Sequence, residues 1–405
     1  MARRVEFVTN PNYQRSGTKS YVHLMRKYRL RTTKDGPYSF GHVIRQTGRP
    51  FSDKPVGGRI RFQPTIRKYL PDGQMEQAGV DDIEQDAPYF LPVQIGTPAQ
   101  TVHLVIDTAS PDLWVRSPEL TQTGFHHVFD PSKSSTFHKP ANRGPWKIVE
   151  VDGSSLSGPI GTDNVTLGDM MIKNQEIELV NMMSSDYDRF SGDGYLGMSL
   201  HSYWSDMLGV ADGIWGQKEL AQSQKLFTVK VGIWGRSKPF CSFGYIDQDV
   251  VDDCNGSIHY AEVDSTRGYW TFDSTSVTVG EKVMDRPMNL AMPDTNAQLT
   301  LLDDTLCQMI YDAIPGAFYD NECQGFIFPS SVTFDQRPSI RLDIGGRHFT
   351  MPKVGLGFAE VKPGYIYGGI QSRGTGKLDI LGANFLEGIY AVNSPPLMQI
   401  YRGCS

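Results

Sequence analysis

Two short segments of the sequence each place an aspartate after an apolar run and before a threonine. The first, VIDT, contains Asp107, and the second, AMPDT, contains Asp294. Each is followed by an apolar-apolar-glycine motif, which ends 90 residues after Asp107 and 88 residues after Asp294. Two carboxylates held close together share a proton, so that one acts as an acid and the other as a base. The repeated pattern therefore predicts an acid/base pair, with Asp107 opposite Asp294.

Short strand-like segments must position this pair. From residue 88 onward, runs rich in Val, Ile, Thr, Tyr and Phe are separated by Gly, Pro, Asn or Asp, which is typical of β-strands and turns. The segment 305–314 has the apolar spacing of a short helix. Two halves that each carry one aspartate predict a mainly β fold in which two β lobes flank a cleft.

Composition excludes several classes of protein. The 405 residues include 41 Gly, 25 Pro and 11% aromatic residues, which fits a turn-rich globular protein and excludes a fibrous or disordered one. No apolar run approaches the roughly 18 residues that a membrane span requires, and the first residues lack the apolar region of a secretory signal. We therefore expect an intracellular protein, or a vacuolar or secreted one if the N-terminus is incomplete.

Charge is distributed unevenly along the chain. Residues 1–70 contain 16 Lys and Arg against three acidic residues, whereas the whole chain has a net charge of −6. A basic segment beside an acidic body in the same chain favours docking onto that body over binding to an external polyanion. We expect the segment to be an internal partner, with no nucleic acid, no membrane and no second subunit.

Several motifs of the body resemble those of a known family. They are PYFLPVQIGTPAQTVHLVIDTASPDLWV, DGSSLSG, DGYLGM, GYWTFDSTSVTVG, PDTNAQLTLLDD and GGIQSRGTGKLDILGANFLEGIYAVN. These motifs are similar to those of the pepsin-like aspartic peptidases, in particular the fungal penicillopepsin- and aspergillopepsin-like branch. The resemblance implies peptide hydrolysis by a catalytic dyad of Asp107 and Asp294. It also implies a propeptide-like segment over 1–85, an N-terminal lobe with the flap over 86–265 and a C-terminal lobe over 266–405.

The loops that carry the two aspartates depart from the family pattern. Ala109 and Asn296 stand where the family has glycine, the residue that lets the backbone amide approach the carboxylate closely. Ser110 keeps a hydroxyl that can hydrogen-bond the neighbouring aspartate. The loss of both glycines predicts a degenerate active site with weak or absent peptidase activity. The resemblance implies that four residues support the dyad: Thr108, Ser110, Thr295 and Asn296.

The flap carries the clearest departure. The resemblance places Glu150 where a tyrosine closes over the substrate, with Asp152 beside it, whereas Trp114, the expected partner of that tyrosine, is retained. Glu150 is either an exposed strand residue or a third acid near the dyad. In the second case, repulsion between like charges would raise the pKa values of all three carboxyls.

The N-terminal segment offers two residues that could block the dyad. In the family, a propeptide lysine pairs with the two aspartates. Lys27 and Lys68 both fit this description, and the sequence does not choose between them.

Cysteine and histidine spacing indicates neither a disulfide framework nor a metal site. The five cysteines are scattered, so we expect mostly free buried thiols, and the disulfide of fungal relatives would fall at Pro329 and Ile366. The adjacent pair His126 and His127 cannot both face one metal from a strand and is expected in a surface loop. We expect no metal and no cofactor.

These patterns leave three functions open. The loss of several family features favours an enzyme repurposed for non-proteolytic acid/base catalysis, such as cyclisation or isomerisation of a hydrophobic small molecule in fungal secondary metabolism. The first alternative is a pepstatin-sensitive aspartic endopeptidase made as a zymogen. The second alternative is a non-catalytic protein that binds peptides in its cleft.

Overall fold

The structure of this protein is a computed structural model that describes residues 4–40, 60–63, 66–83, 87–120, 124, 126–141, 144–150, 155–184, 187, 190–200, 208–232, 238–254, 258–394 and 397–402. β-Strands are the main regular element of these residues, and the helices are few and short. The prediction of a mainly β fold is therefore confirmed. Within the described residues, no helix is long and apolar enough to cross a membrane.

One helix and several short strands attach the N-terminal segment to the body. The helix is α1 (Gly17–Tyr28), and its buried residues pack with Ile327 and Tyr367 of the C-terminal half. Glycine begins this helix because a Cβ at Gly17 would lie 2.2 Å from the Tyr367 ring. The strands of the segment are β1 (Val5–Glu6), β2 (Val8–Thr9), β3 (Tyr38–Phe40), β4 (Ile60–Gln63), β5 (Ile66–Tyr69) and β6 (Met75–Gln77).

The N-terminal half of the body is built around a sheet that ends at Asp107. Its strands are β7 (Tyr89–Ile95), β8 (Gln100–Asp107), β9 (Leu113–Arg116), β10 (Trp146–Glu150), β11 (Ser155–Gly158), β12 (Ile160–Leu167), β13 (Met170–Val180), β14 (Met182–Met183) and β15 (Gly194–Gly197). The seven-stranded sheet has the order β12-β13-β9-β15-β8-β7-β2. In it, β15 runs parallel to β8 and places Gly197 opposite Asp107. In a second sheet, β4 pairs in parallel with β10.

The next part of the chain connects the two halves. It contains α2 (Val210–Gly216), β16 (Phe227–Lys230), β17 (Phe240–Phe243), α3 (Gln248–Asp253) and β18 (Ile258–Glu262). The side chains of β16 and β17 are all buried. These strands therefore belong to a sheet that is covered on both faces.

The C-terminal half repeats the arrangement around its own aspartate. Its strands are β19 (Phe272–Asp273), β20 (Ser276–Val279), β21 (Lys282–Asp285), β22 (Leu290–Pro293), β23 (Thr300–Leu302), β24 (Phe318–Asp320), β25 (Gly325–Pro329), β26 (Ile340–Ile344), β27 (Arg347–Thr350), β28 (Gly357–Lys362), β29 (Tyr365–Gly368), β30 (Ile370–Ser372), β31 (Leu378–Leu381), β32 (Ile389–Ser394) and β33 (Leu397–Arg402). Here β22 leads into Asp294 and pairs in parallel with β31, which places Pro293 opposite Leu381. The internal repeat inferred from sequence is thereby confirmed.

A six-stranded sheet joins the halves. Its order is β1-β17-β16-β32-β33-β18, so it combines strands from the N-terminal segment, the connecting part and the C-terminus. Two large apolar clusters lie on either side of the molecule, one around Leu104 and Leu196, and the other around Leu342 and Phe349. Each aspartate therefore has a packed core beneath it.

The remaining helices are short. The predicted helix over 305–314 is confirmed with shifted ends as α4 (Asp304–Asp312). It begins after Asp303, whose carboxylate accepts a hydrogen bond from the Leu306 amide, the usual role of an N-terminal capping residue. The last helix is α5 (Ala383–Leu386). Short 3-10 helices span Val80–Asp82, Pro131–Lys133, Gln222–Gln224 and Lys353–Leu356.

A buried ion cluster anchors the strand beside Asp294. Asp379, on β31, is fully buried and accepts hydrogen bonds from Arg286 at 2.6 and 3.0 Å, from Arg373 at 2.7 Å and from Asn289 at 2.9 Å. Because four hydrogen bonds surround one carboxylate, its charge is fully compensated. This cluster fixes β31, which in turn supports the loop of Asp294.

The cysteines agree with the sequence-based expectation in part. Cys241, Cys307 and Cys323 are buried free thiols. Cys254 differs because it is disulfide-bonded. The positions of the fungal disulfide, Pro329 and Ile366, lie on the paired strands β25 and β29.

Candidate active site

The two aspartates lie close together and share a partner. Lys27, on α1, places its Nζ atom 2.9 Å from Asp107 Oδ2, 3.0 Å from Asp107 Oδ1 and 2.8 Å from Asp294 Oδ2. Both carboxylates are buried, and Asp294 is completely inaccessible to solvent. The structure therefore brings Asp107 and Asp294 together, as the repeated sequence pattern predicts.

A symmetric pair of threonines holds the two loops against each other. The Thr108 amide donates to Thr295 Oγ1 at 3.2 Å, and the Thr295 amide donates to Thr108 Oγ1 at 3.1 Å. Each hydroxyl then donates across the cleft to a backbone carbonyl, at 3.1 Å to Pro293 and at 2.9 Å to Ile106. Four hydrogen bonds between the halves fix the separation of the carboxylates, which is what an acid/base pair requires.

The N-terminal segment contributes a second side chain that sequence reasoning missed. Tyr28, the last residue of α1, donates from its hydroxyl to Asp294 Oδ2 at 2.5 Å. Its only signal in the sequence is its place directly after Lys27, which does not reveal that both residues reach the dyad. Lys68, the other candidate, instead pairs with Asp82 at 2.6 Å. The helix therefore covers the dyad with adjacent ammonium and phenol groups.

Burial and the Lys27 charge set the protonation of the dyad. Burial raises the pKa of Asp107, and Lys27 only partly offsets it. Burial acts in the same direction on Asp294, but the charge and hydrogen bond of Lys27 and the Tyr28 hydroxyl outweigh it, so the pKa of Asp294 lies below its usual value. Burial would lower the pKa of Lys27, yet the two carboxylates outweigh burial and raise it. The docked state therefore holds a protonated lysine against an ionised Asp294.

Comparison with known proteins agrees with this geometry. Residues 88–394 match the family model described as "Eukaryotic aspartyl protease". This chain belongs to that family. The matched region covers both aspartates and the two halves of the aspartic protease fold, whereas it begins after the helix that covers the dyad.

Fungal aspartic proteases are among the most similar relatives. The chain is 31% identical over 366 residues to aspergillopepsin-1 of Aspergillus fumigatus, covering 87% of this chain and 89% of that protein. It is 30% identical to endothiapepsin of Cryphonectria parasitica, covering 76% and 72% of the two chains, and 32% identical to penicillopepsin-1 of Penicillium roqueforti, covering 77% and 76%. The first alignment covers more of the chain than residues 88–405 provide, so it extends into the N-terminal segment.

The aspartic protease loops keep their amide contacts without glycine. Although alanine and asparagine replace the glycines, the Ala109 amide donates to Asp107 Oδ1 at 2.9 Å and the Asn296 amide donates to Asp294 Oδ1 at 2.8 Å. Neither residue adopts a positive φ, so the conformational freedom of glycine is not needed at these positions. Close approach of amide and carboxylate is therefore preserved in both loops.

Two other loop residues make different contacts, and only Ser110 departs from expectation. Ser110 Oγ accepts a hydrogen bond from the Asp112 amide at 3.5 Å rather than contacting the neighbouring aspartate. The Asn296 side chain extends into the cleft and places Nδ2 3.5 Å from Asp107 Oδ2. This contact adds an uncharged donor beside the dyad, which no glycine could provide.

The cleft in front of the dyad is partly aromatic. It forms a pocket of about 1000 Å³, its open mouth included. Trp114 forms part of the wall and packs against Phe190 and Tyr195, with ring centroids 5.7 and 5.4 Å apart. The remaining aromatic residues of the wall are Tyr28, Tyr187 and Tyr269. Such a surface suits an apolar group of a substrate.

The flap departures fall only partly within the described residues. Glu150 is the last residue of β10, and its backbone lies opposite Gln63 of β4. Its side chain and all of Asp152 lie outside the described part of the chain, so the possible third acid stays a prediction. The backbone pairing does show that a strand of the N-terminal segment runs beside the flap strand.

Proposed function

We propose that this chain is an aspartic endopeptidase in its zymogen form, with α1 as the inhibitory element. One observation carries the proposal: the Lys27 ammonium contacts both buried carboxylates while Tyr28 donates to Asp294. A lysine in this place neutralises the dyad and fills the position from which a substrate carbonyl would approach. The alignment with aspergillopepsin-1, which extends into the same segment, supports the proposal.

The proposed chemistry begins when the N-terminal segment, which carries Lys27, is removed from the dyad. Without Lys27, the two buried like charges cannot both remain ionised, so they retain one proton between them. The ionised carboxylate takes a proton from a water molecule, whose oxygen forms a bond to the peptide carbonyl carbon. The protonated carboxyl gives its proton to the carbonyl oxygen. Collapse of this intermediate breaks the carbon–nitrogen bond, and the amine leaves with a proton.

The retained loop geometry supports peptidase activity. The amides of Ala109 and Asn296 still donate to the two carboxylates, and the threonine pair still fixes the loops. These are the supports that a dyad needs to remain positioned during reaction. The partly aromatic wall around Trp114 favours cleavage beside large apolar residues.

Repurposed, non-proteolytic catalysis is the second candidate. It is favoured by the Asn296 side chain, which lies 3.5 Å from Asp107 and supplies a donor that a polar group of the substrate could use. In this case, the dyad would protonate and deprotonate a hydrophobic small molecule in the same pocket. The N-terminal segment would then regulate access to the pocket rather than serve as a removable propeptide.

The test is a peptidase assay on the intact chain between about pH 3 and 7, with and without pepstatin. Mass spectrometry follows two events together: loss of the N-terminal segment and cleavage of an unfolded protein substrate. The variants are Asp107→Asn and Asp294→Asn, and Asp335→Asn is the control because Asp335 is exposed and distant in sequence from both loops.

The endopeptidase proposal expects pepstatin-sensitive cleavage at acid pH that both dyad variants lose and the control retains. The endopeptidase proposal is overturned if a folded chain leaves both its N-terminal segment and the substrate intact at every pH. If such a chain binds a peptide and releases it unchanged, the non-catalytic alternative replaces it. Turnover of a small molecule that both dyad variants lose would instead establish the second candidate.

A further inference from the structure

Three histidines surround one buried carboxylate that does not belong to the dyad. Asp193 lies directly before β15, and only 4% of its side chain is exposed. His103 Nδ1 is 3.5 Å and His127 Nδ1 is 3.3 Å from Asp193 Oδ2, while His126 Nδ1 is 3.6 Å from Oδ1. Two of the imidazoles therefore approach the same carboxylate oxygen.

The backbone fixes this carboxylate before any imidazole contributes. The His103 amide donates to Asp193 Oδ2 at 2.7 Å, and the His127 amide donates to Oδ1 at 2.9 Å. The Asp193 amide in turn donates to the His103 carbonyl at 2.9 Å, and the Arg116 amide donates to the Asp193 carbonyl at 3.0 Å. Each oxygen keeps a lone pair after accepting one amide, so Asp193 is a rigid ligand with free coordination capacity.

The spacing between Asp193 and each of two imidazoles matches a metal site. Ligand atoms about 2.0 to 2.2 Å from a tetrahedral zinc ion lie roughly 3.3 to 3.6 Å from one another. The distances from Asp193 Oδ2 to the two Nδ1 atoms, 3.3 and 3.5 Å, fall in this range. One ligand atom from each of His103, His127 and Asp193 lies within 4.8 Å of the others. We propose that these three residues bind a zinc ion.

The ligand types favour zinc over a hard cation. Two imidazoles and one carboxylate suit Zn²⁺, whereas Mg²⁺ and Ca²⁺ prefer oxygen ligands only. The exposed fractions of the His103 and His127 side chains, 28% and 61%, leave a path for the ion and a water ligand. His126 contacts the opposite oxygen and acts as a positioning residue.

The proposed site combines His127 with ligands from other parts of the chain, because two adjacent histidines cannot both face one metal from a strand. His126 and His127 do lie in a loop between strands, and they do not form a ligand pair by themselves. The second imidazole comes from His103 on β8, and the carboxylate comes from the residue before β15. The parallel pairing of β8 with β15 brings His103 and Asp193 together, and the His127 amide joins them through its hydrogen bond to Asp193.

The ion would connect three segments behind the first dyad loop. His103 lies four residues before Asp107 on β8, and β15 is the parallel neighbour of that strand. A zinc ion would tie both strands to the loop of His127. Because no ligand touches the dyad, the ion stabilises the N-terminal half and takes no part in peptide hydrolysis. The proposal is therefore independent of the proposed function.

Titration calorimetry with zinc chloride at pH 7.5 tests the proposal on the full chain without a histidine tag. The variants are His103→Gln and His127→Gln, and His138→Gln is the control because His138 is an exposed histidine elsewhere in the same half. We expect one zinc per chain, at least about 10-fold weaker binding in each ligand variant and unchanged binding in the control. Saturating zinc should also raise the melting temperature of the wild-type protein by about 5 °C.

Spectroscopy keeps the test decisive if a variant does not fold. Cobalt replaces zinc in such sites, and the wild-type protein should then show visible bands of a four-coordinate nitrogen and oxygen site, which zinc abolishes. Absence of saturable zinc binding by the wild-type protein overturns the proposal. Zinc binding that persists unchanged in both folded ligand variants overturns it as well, because the ion would then lie elsewhere.

Discussion

His23 should make docking of the N-terminal helix sensitive to acid. The residue lies on α1, one turn before Lys27, and lines the cleft pocket. It is partly buried, and its Nδ1 atom has no hydrogen-bond partner among the described residues. Burial, followed by the charges of Arg26 and Lys27, lowers its pKa from 6.5 to about 3, with only Asp294 acting in the opposite direction. The docked helix therefore holds a neutral imidazole.

The size of the effect follows from proton linkage. When the helix undocks, His23 regains a pKa near 6.5, so the undocked state binds the additional proton at every pH between that value and about 3. Docking is consequently strongest above pH 6.5 and weakens as the pH falls. At pH 4.5, two pKa units below the undocked value, the loss is about 2.7 kcal/mol, or roughly 100-fold in the docking equilibrium.

The perturbation is His23→Gln, which keeps a polar side chain and removes the titration. Hydrogen exchange of the α1 amides, read by mass spectrometry after brief labelling, reports helix opening at pH 7.5 and at pH 4.5. After correction for intrinsic exchange rates, the wild-type protein should lose about 100-fold more protection than His23→Gln between these pH values. His138→Gln should behave like the wild type.

The dyad contributes a pH dependence that both proteins share. The pKa of Asp294 is lowered in the docked state, so its contribution to docking is also lost as the pH falls through that lowered value. The comparison with His23→Gln cancels this common part. Superimposable protection profiles for wild type and variant would refute the reasoning, because they would show that His23 is not neutral in the docked helix or that it does not leave its environment on opening.

Three further substitutions test the remaining contacts. Lys27→Met should weaken docking of α1 by about 3 to 5 kcal/mol, because it leaves two buried carboxylates without their cation. Hydrogen exchange of the α1 amides at pH 7.5 should then be strongly accelerated, and unchanged exchange would contradict this prediction. Asp379→Asn should lower the free energy of unfolding by about 3 to 5 kcal/mol in urea titration, because Arg286 and Arg373 lose their buried partner; a loss below 1 kcal/mol would mean that the cluster behaves as an exposed pair. Ala109→Gly should change the free energy of unfolding by less than about 1 kcal/mol, because the Ala109 amide already reaches the adjacent carboxylate without a positive φ; a gain of several kcal/mol would show that alanine strains the loop.

The sequence predicts the dyad well because the fold repeats. The Asp-Thr pair and the later glycine recur at nearly equal spacing in both halves, and this spacing reflects the parallel pairings of β8 with β15 and of β22 with β31. Local pattern and tertiary contact therefore carry the same information. The mainly β fold follows for a similar reason, since strand composition and turn residues alternate along the whole body.

The blocking residue could not be predicted, because its choice depends on contacts between distant parts of the chain. Lys27 and Lys68 are equivalent as sequence, but Lys68 lies 14 residues from Asp82 and pairs with it after β5 folds back. Lys27 reaches carboxylates 80 and 267 residues away. The sequence also does not reveal that Ala109 and Asn296 keep a negative φ, which any residue tolerates.

The attachments of the N-terminal segment determine what an acid-triggered release must achieve. β1 pairs with β17, β2 pairs with β7, and β4 pairs with the flap strand β10, whereas α1 alone among the described elements of this segment contacts the dyad. The strand pairings consist of backbone hydrogen bonds, which do not titrate between pH 3 and 7, but the α1 contacts contain two carboxylates and a partly buried histidine that do respond to acid. Acid should therefore open α1 before it separates the strands. If the hydrogen-exchange rates of the α1 amides and of the β10 amides rise together as the pH falls, the segment leaves as one unit. If the exchange rate of α1 rises first, helix opening alone exposes the dyad before the flap strand is released.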